Sequence, residues 1–319
     1  MSETGEREMV GLIRHPLVER TASCLEGAAR VLGEAGITLW EIDRDASPSQ
    51  HVRELSRLRL LLTLGGDGTL LHGARMAAAH DIPLLGVNLG RLGFLTELEA
   101  DGLEDGLRRF LAGEYWVERR TVLDVTVPGT DRNPVQEVGL NEALLQRDAT
   151  GAMLRLRALV DSQEVGTFDA DGVIIATASG STAYALAAGG PILEPTVEGL
   201  VLVPLNPFAL TVRPIVFPPR QSLTVELARN DALLTVDGGH GRRLQQGEAV
   251  RVGAGERPLR LMRFTSGSRF YTRLRHKLGW GLPLVPTVRR HDGWPPADED
   301  AWDDELRDER RGDEQPPEV

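Results

Sequence analysis

The most constraining feature of this 319-residue chain is a glycine-rich turn between an apolar segment and a helical one. The run Leu60–Leu64 leads into Gly65-Gly66-Asp67-Gly68-Thr69, and the stretch Thr69–His80 is rich in alanine and leucine. Glycines let a backbone approach an anion closely, and the N–H groups at the start of the following helix face that anion. The pattern predicts a phosphate-binding turn in which Asp67 lies where a substrate hydroxyl loses its proton.

Two better-known glycine turns do not fit this segment. The stretch Gly66–Leu71 lacks the last glycine of a dinucleotide fingerprint, and the P-loop motif G-x-x-x-x-G-K-[ST] does not occur in the chain. Ligands of open parallel sheets bind beyond the carboxyl ends of the strands, and Asp67 follows a predicted strand. Its position therefore favours a functional turn over a purely structural one.

The apolar pattern divides the chain into two parts. Over residues 1–118, short apolar runs alternate with helical patterns, which predicts an α/β domain with a Rossmann-like parallel sheet. Its predicted strands are Met9–Ile13, Ile37–Ile42, Leu58–Leu64 and Pro83–Val87. Over residues 119–275, apolar and polar residues alternate in several segments, which predicts a β-rich domain.

The net charge of −11 is concentrated at the C-terminus. Residues 291–319 hold twelve acidic residues and three arginines, which leaves −2 for the preceding 290 residues. This acidic tail has few apolar residues, so we expect it to be disordered. One cysteine, no signal peptide and no apolar run long enough for a bilayer predict a cytoplasmic protein without a membrane partner. The charge of the body neither suggests nor excludes a polyanionic ligand, and we expect no nucleic-acid partner.

Three further segments carry candidate binding residues. Phe94, in a glycine-bearing segment after the strand that ends at Val87, can stack on a base. Asn141-Glu142 suits a sugar diol, because carboxylate and amide oxygens accept hydrogen bonds from hydroxyls. The stretch 169–191 runs from a buried strand into hydroxyl-bearing residues and a short helix, which suits phosphate, ribose or adenine. The seven histidines show no spacing typical of metal ligands.

Together these segments resemble the NAD kinase family. The matching pieces follow the family's order over residues 9–280: Gly65–Thr69, Gly90–Thr96, Asn141-Glu142, Asp171-Gly172, Ser179–Tyr184, Gly189–Pro191, Arg213-Pro214, Asp237-Gly238, Phe270-Tyr271 and Leu274–Leu278. The resemblance implies a C-terminal domain of β-sandwich type, with residues 276–290 packing back on the N-terminal domain. It also implies a homodimer or homotetramer.

The resemblance implies a reaction in which ATP, or polyphosphate in some members, phosphorylates NAD to NADP with Mg²⁺ or another divalent metal. Asp67 would be the general base toward the 2′-hydroxyl of the adenosine ribose, and no protein side chain is assigned to the metal. The residues implied to bind the ATP phosphates are Gly65, Gly66, Gly68 and Thr69. Those implied to bind NAD are Gly68, Phe94, Asn141, Glu142, Asp169, Asp171, Ser179, Thr182, Ala183 and Tyr184.

Three positions depart from the family pattern: Phe208 stands where histidine is usual, Ala178 replaces a frequent proline, and Gly239 replaces a common glutamine. Asp169 occupies a position that varies in the family with the choice between NAD and NADH. Two alternatives stay open from the residues. A lipid or sugar kinase would share Gly65–Thr69 without needing Asn141-Glu142, and a non-catalytic NAD sensor would not need Asp67.

Overall fold

The structure is a computed structural model that describes residues 9–15, 21–43, 51–90, 93–128, 135–148, 151–265 and 270–280. The chain divides into two compact units, Met1–Phe270 and Tyr271–Val319. Residues 281–290 and the acidic tail lie outside the described part, so their assignments stay predictions. No helix in the described ranges is long and apolar enough to cross a membrane.

The first part of the chain alternates strands and helices, as its pattern predicts. In chain order the elements are β1 (Met9–Arg14), α1 (Thr21–Glu34), β2 (Thr38–Glu41), α2 (Val52–Leu55), β3 (Leu58–Gly65), α3 (Asp67–His80), β4 (Leu84–Asn88), β5 (Leu98–Glu99), α4 (Leu103–Ala112) and β6 (Trp116–Arg120). The four strands predicted from the sequence are confirmed within two residues at each end.

The second part is made almost entirely of strands. Its elements are β7 (Leu123–Val127), β8 (Val135–Gly139), β9 (Glu142–Arg147), β10 (Leu154–Val160), β11 (Gln163–Ala170), β12 (Gly172–Thr177), α5 (Tyr184–Ala187), β13 (Leu200–Leu205), β14 (Ile215–Phe217), β15 (Leu223–Arg229), β16 (Ala232–Val236), β17 (Arg242–Leu244) and β18 (Ala249–Ala254). The chain continues through β19 (Leu259–Arg263) and α6 (Phe270–Leu278), and α6 spans the boundary between the two units.

The first sheet has the strand order β2-β1-β3-β4-β19-β6, with β5 paired to the end of β4. All of its pairings are parallel except that of β19 with β6. Strand β3 is buried along most of its length because helices cover both faces of the sheet. The α/β fold class is confirmed, with one antiparallel edge strand added.

Strand β19 belongs to this first sheet although it lies far along the chain. It pairs with β4 on one side and with β6 on the other. The predicted boundary between residues 118 and 119 therefore falls inside β6, and residues assigned to the β-rich domain complete the sheet of the α/β domain. The cause is strand pairing between distant segments, which a local pattern does not encode.

The β-rich part consists of two six-stranded sheets, ordered β11-β10-β15-β18-β7-β8 and β14-β13-β12-β9-β16-β17. One buried apolar cluster draws side chains from nearly every strand of both sheets, so the two sheets pack face to face. The alternating burial along β7, β15 and β16 matches the alternating sequence pattern. The sandwich is confirmed.

Helix α3 connects the two parts of this unit. Its buried face joins a cluster that also contains Val122 and Leu140, which lie beyond the α/β segment of the chain. The guanidinium of Arg75, on the same helix, donates to the carbonyl oxygen of Val236 at 2.9 Å. The helix that begins at the glycine turn is thus fixed to the sandwich.

Candidate active site

The glycine turn joins the carboxyl end of β3 to the start of α3. Asp67 is the first residue of the helix, and the preceding Gly66 is in an extended conformation. A methyl group at Gly65 would lie 2.2 Å from Oγ1 of Thr69, whereas one at Gly66 or Gly68 would meet no atom of the described part of the chain within 4 Å. Gly65 is required by internal packing, and Gly66 and Gly68 leave room on the outer side of the turn for a ligand.

The carboxylate of Asp67 is held by the backbone of the segment that follows β4. The N–H of Phe94 donates to Oδ2 at 2.8 Å, and the N–H of Leu95 donates to Oδ1 at 3.1 Å. A methyl group at Gly93 would lie 2.2 Å from Oδ1. The acid is thus partly buried and fixed against a close-fitting loop, and Phe94 lies beside it.

This loop opens at the same sheet edge as the glycine turn, as the sequence predicts. Gly65, at the end of β3, is aligned with Asn88, at the end of β4. The N–H of Leu89 also donates to the carbonyl oxygen of Gly65 at 3.1 Å. Arg91 and Leu92, in the middle of the loop, lie outside the described residues.

The pair Asn141-Glu142 lies at a bend where β9 begins, rather than inside a continuous strand. The partly buried carboxylate of Asp237 stabilises this bend. It accepts hydrogen bonds from the N–H groups of Leu140 at 2.6 Å, Asn141 at 2.8 Å and Glu142 at 3.0 Å. Asp237 has a positive φ of 48° and precedes Gly238, so an Asp-Gly turn signal marks this position in the sequence.

Burial, and secondly the charge of Asp237, raise the pKa of Glu142 to about 7. Burial also raises the pKa of Asp237, although its three backbone donors oppose the shift. Within the part of the chain that is described, Oε2 of Glu142 is buried without a hydrogen-bond partner. A ligand hydroxyl that donates to this oxygen would complete its hydrogen bonding.

The loop from Ser179 to Tyr184 lies directly against Asn141. A methyl group at Gly180 would lie 2.0 Å from the carbonyl oxygen of Asn141. The hydroxyl of Thr177 donates to the carbonyl oxygen of Leu140 at 2.6 Å. The structure therefore brings together the two segments that the sequence assigned to NAD, at one end of β12.

Most hydroxyl groups of this loop hold its own shape. Ser181 donates to the carbonyl oxygen of Ala178 at 2.7 Å, and Thr182 donates to that of Ser179 at 3.1 Å. Ala183 is partly buried, and Tyr184 is 44% exposed at the start of α5. The loop is ordered by internal hydrogen bonds, and the Tyr184 ring is accessible to a ligand.

A buried ion cluster next to these loops was not predicted from the sequence. Arg263 donates through Nη1 to the carbonyl oxygen of Leu95 at 2.9 Å and through Nε to Glu118 at 2.6 Å. Glu118 also accepts from Nη2 of Arg120 at 2.8 Å, and Nη1 of Arg120 donates to the hydroxyl of Ser179 at 3.1 Å. The local signal is a glutamate and an arginine two residues apart on one face of a strand.

Asp169 and Asp171 lie at the opposite end of β12 from Ser179. Strand β12, which separates these two residues from Ser179, has six residues, which correspond to about 20 Å of extended backbone. Asp171 accepts from Arg147 at 2.6 Å and from Asn206 at 3.0 Å. Both bonds lower its pKa, that from Asn206 foremost. Within one chain, these two carboxylates are not brought together with the other candidate residues.

Asp169 is engaged with arginine in the same way. Its two carboxylate oxygens accept from Nε and Nη2 of Arg155, each at 2.8 Å, and this pairing lowers the pKa of Asp169. The exposed Phe208 donates its N–H to the carbonyl oxygen of Asp169 at 2.8 Å. Phe208, which departs from the family pattern, therefore lies at this distal end.

No group of three or more His, Cys, Asp or Glu side chains is placed to hold a metal ion in the described ranges. Mg²⁺ is commonly held by one or two carboxylates together with substrate phosphates and water. The open side of the glycine turn leaves room for a metal held mainly by substrate phosphates and water. It does not form an all-protein cage.

Comparison with known proteins covers both parts of the chain. Residues 10–115 match the family model of the ATP-NAD kinase N-terminal domain, and residues 140–264 match that of the ATP-NAD kinase C-terminal domain. An NAD kinase of Gemmatimonas aurantiaca is 41% identical over 246 residues, covering 76% of this chain and 84% of the relative. An NAD kinase of Nocardia farcinica is 36% identical over 292 residues, covering 83% and 90%.

Solved structures share the fold. Yeast NADH kinase complexed with NADH superimposes with a TM-score of 0.76 at 22% identity, covering 90% of this chain and 95% of that one. An NAD kinase from Archaeoglobus fulgidus in complex with ATP gives 0.66 at 24% identity, covering 83% and 96%. The resemblance drawn from the motifs is confirmed by the family models and by the sequence relatives. The chain belongs to the NAD kinase family.

Proposed function

We propose that this protein is an ATP-dependent NAD kinase that phosphorylates the 2′-hydroxyl of the adenosine ribose. The observation that carries the proposal is the carboxylate of Asp67, fixed by the N–H groups of Phe94 and Leu95 beside an open glycine turn. The names of the sequence relatives supply the reaction class.

In this proposal each segment has one task. Asp67 is the general base, and Gly65, Gly66, Gly68 and Thr69 form the turn that receives the ATP phosphates. Asn141 and Glu142 bind hydroxyl groups of NAD. Ser179, Thr182, Ala183 and Tyr184 line the adenosine pocket, and Phe94 covers the adenine. The support is that Gly180 packs on Asn141 and that Phe94 hydrogen-bonds to Asp67.

The chemistry requires little of the protein beyond positioning. The 2′-oxygen attacks the γ-phosphorus, its proton passes to the carboxylate of Asp67, and ADP leaves with the electrons of the broken P–O bond. Because the phosphoryl transition state is loose, alignment and charge stabilisation supply most of the rate. Mg²⁺, bound to the ATP phosphates, would neutralise the charge that develops on them.

The carboxylates of Asp169 and Asp171 bear on self-association. We propose that Asp171 contacts the nicotinamide end of NAD, that Asp169 also binds NAD, and that the protein forms a homodimer or homotetramer. Because they lie at the far end of β12 from Ser179, another copy of the chain could supply them to the same ligand. Measuring the molecular mass in solution, and NAD affinity in an Asp171→Ala variant, tests this arrangement.

The reaction is tested by separate incubations of the purified protein with Mg²⁺, ATP and one acceptor each: NAD, NADH, diacylglycerol or fructose 6-phosphate. We expect phosphate transfer to NAD or NADH and none to the lipid or the sugar. The position of the new phosphate is read by phosphorus NMR. Transfer to the lipid or sugar alone, or NAD binding without any transfer, would overturn the proposal.

The phosphate donor needs its own incubation. The archaeal NAD kinase that shares this fold was solved in complex with ATP, which favours ATP as donor. Replacing ATP by inorganic polyphosphate in the NAD reaction distinguishes the two donors. We expect ATP to support the higher rate.

A further inference from the structure

The buried ion cluster lies between the loop that follows β4, whose N–H groups hold Asp67, and the loop that contains Ser179. It contains Arg263 on β19, Glu118 and Arg120 on β6, and Glu97, which follows the Phe94 loop. Glu97 accepts from Nη1 of Arg263 at 3.3 Å and from the N–H of Phe264 at 3.0 Å. The two arginines and two glutamates balance in charge.

The contacts form an unbroken path from the candidate base to the candidate adenosine loop. Asp67 accepts from the N–H of Leu95, whose carbonyl oxygen accepts from Arg263. Arg263 donates to one carboxylate oxygen of Glu118, and Arg120 donates to the other. Arg120 also donates to the Ser179 hydroxyl, so each contact between residues along the path is a direct hydrogen bond.

The path is almost fully shielded from water. Glu118 is 9% exposed, Arg120 6%, Arg263 5% and Ser179 7%. Burial alone would raise the pKa of Glu118, but the charges of Arg263 and Arg120 outweigh it and keep the pKa below the ordinary value. Burial also lowers the pKa of Arg120, and the negative charge of Glu118 opposes this shift. Glu118 is therefore the ionised centre of the cluster.

Stability alone does not account for such a cluster. Replacing a buried ion pair by apolar residues of similar volume is often neutral or stabilising, because desolvation offsets much of the attraction between the charges. Fixed charge and fork-shaped guanidinium groups do, however, impose one geometry on the groups they contact. Here those groups are the carbonyl oxygen of Leu95 and the hydroxyl of Ser179.

We propose that Arg263, Glu118 and Arg120 are positioning residues that hold the Asp67 carboxylate in register with the Ser179 loop, so that the acid faces the bound nucleoside. This inference rests on the proposed function. The cluster ties the glycine-turn side of the site, built on the first sheet, to the sandwich loop that follows β12. A misplacement of the order of 1 Å can cost about 10²-fold in rate, so a rigid link between the two loops has a direct catalytic consequence.

The test is a double-mutant cycle between Arg120→Met and Asp67→Asn, with unfolding curves to verify that each variant is folded. In the wild-type background we expect Arg120→Met to lower kcat by about 10- to 100-fold and to leave the KM for ATP within about twofold. In the Asp67→Asn background we expect kcat to fall by less than about threefold, because the base that the cluster positions is already absent. Arg120→Lys should recover part of the wild-type kcat.

Arg157→Met is the matched control. Arg157 also makes two ion pairs, with Glu164 and Glu226, but it is partly exposed on β10 of the sandwich. We expect its kcat to stay within about twofold of the parent in both backgrounds.

A second readout keeps the inference testable if Arg120→Met does not fold. Glu118→Gln and Arg263→Lys take its place in the same cycle, and hydrogen exchange reports on the amides of Phe94 and Leu95. We expect these amides to exchange at least tenfold faster in Arg263→Lys than in the wild type. An equal loss of kcat in both backgrounds, or unchanged kcat and exchange, would overturn the inference alone. Absence of NADP formation by the wild type would refute the proposed function and, with it, the inference.

Discussion

At the scale of single residues, the Asp67 carboxylate is tightly confined. Its two oxygens accept from consecutive N–H groups, and Gly93 lies so close that no side chain fits beside it. An acid held in this way has one orientation before substrate binds. Preorganisation of this kind avoids reorganisation during the reaction.

Gly93→Ala tests this confinement. The new methyl group would lie 2.2 Å from Oδ1 of Asp67 and 2.7 Å from Oγ1 of Thr96, so the carboxylate must move. We expect kcat to fall by about 10- to 100-fold, measured by NADP formation. The control is Gly90→Ala in the same loop, where a methyl group meets no atom of the described residues within 4 Å and kcat should be unchanged. Equal kcat values for the two variants would contradict this view of Asp67.

Glu142 gives the structure a specific pH dependence. Its pKa is about 7 in the folded protein and near 4.5 in an unfolded chain, so the folded state retains the proton to higher pH. The contribution of protonated Glu142 to the free energy of unfolding is fully present below pH 4.5 and is lost as the pH rises through about 7. Glu142→Gln lacks this titration.

Urea unfolding of the ligand-free wild type and of Glu142→Gln at several pH values therefore separates the two proteins. The two proteins should have similar free energies of unfolding at pH 5. At pH 8 the free energy of unfolding of the variant should be higher by at most about 3 kcal/mol. Parallel pH profiles would show that Glu142 titrates normally.

The roles of single residues were only partly predictable from the sequence. The glycine turn and Asp67 stood out because their signal is local. The tasks of Asp237 and Arg263 did not, because they act on backbone groups about 96 and 168 positions away in the chain. The separation of Asp171 from Ser179 was predictable, because the buried strand in the stretch 169–191 lies between them.

At the scale of elements, the first turn of α3 contains a residue that lowers the stability of the helix but leaves space for a ligand. Gly68 is exposed in a helix, where alanine would be more stable by about 0.5–1 kcal/mol. Its position leaves the outer side of the turn open for phosphate. Glycine at this position therefore lowers the stability of the fold, and phosphate binding gives a reason for its presence.

Gly68→Ala tests this explanation. We expect an unchanged or higher melting temperature, because a methyl group there meets no protein atom within 4 Å. We also expect the KM for ATP to rise by about tenfold or more, since the methyl group would occupy the path of the phosphate backbone contact. A variant with wild-type KM for ATP would place the phosphates elsewhere.

Most strands and helices could be predicted because hydrophobic periodicity is a local property. The continuous apolar run of β3 and the alternation in β7 and β15 each matched the observed burial. The bend at Asn141 could not be predicted, since the Asp237 carboxylate that stabilises it comes from another strand end. Strand boundaries set by tertiary hydrogen bonds leave little trace in local sequence.

At the scale of the whole molecule, the sequence order and the spatial order differ. The chain forms the α/β part, then the sandwich, and then returns to place β19 between β4 and β6. The first sheet is therefore completed by a strand that follows the sandwich strands in the chain. Local patterns predicted both architectures but not this return.

A fragment of residues 1–120 tests the consequence. It lacks β19 and also Val122, Leu140, Leu259 and Leu261, which belong to one of its buried clusters. We expect no cooperative thermal transition for the fragment by circular dichroism, whereas the full chain should show one. A fragment that melts cooperatively near the temperature of the full chain would show that the α/β part folds independently.

The most direct test of the central claim compares the wild type with Asp67→Asn in two measurements, NAD binding by calorimetry and NADP formation from ATP and NAD with Mg²⁺. The variant nearly keeps the shape of the side chain, but its amide retains only one of the two backbone hydrogen bonds and cannot accept the proton. We expect an NAD dissociation constant within about threefold of wild type and a kcat lower by about 10²–10⁴-fold. Undiminished turnover in the variant, or turnover that falls only in step with NAD affinity, would contradict the assignment of Asp67 as the base.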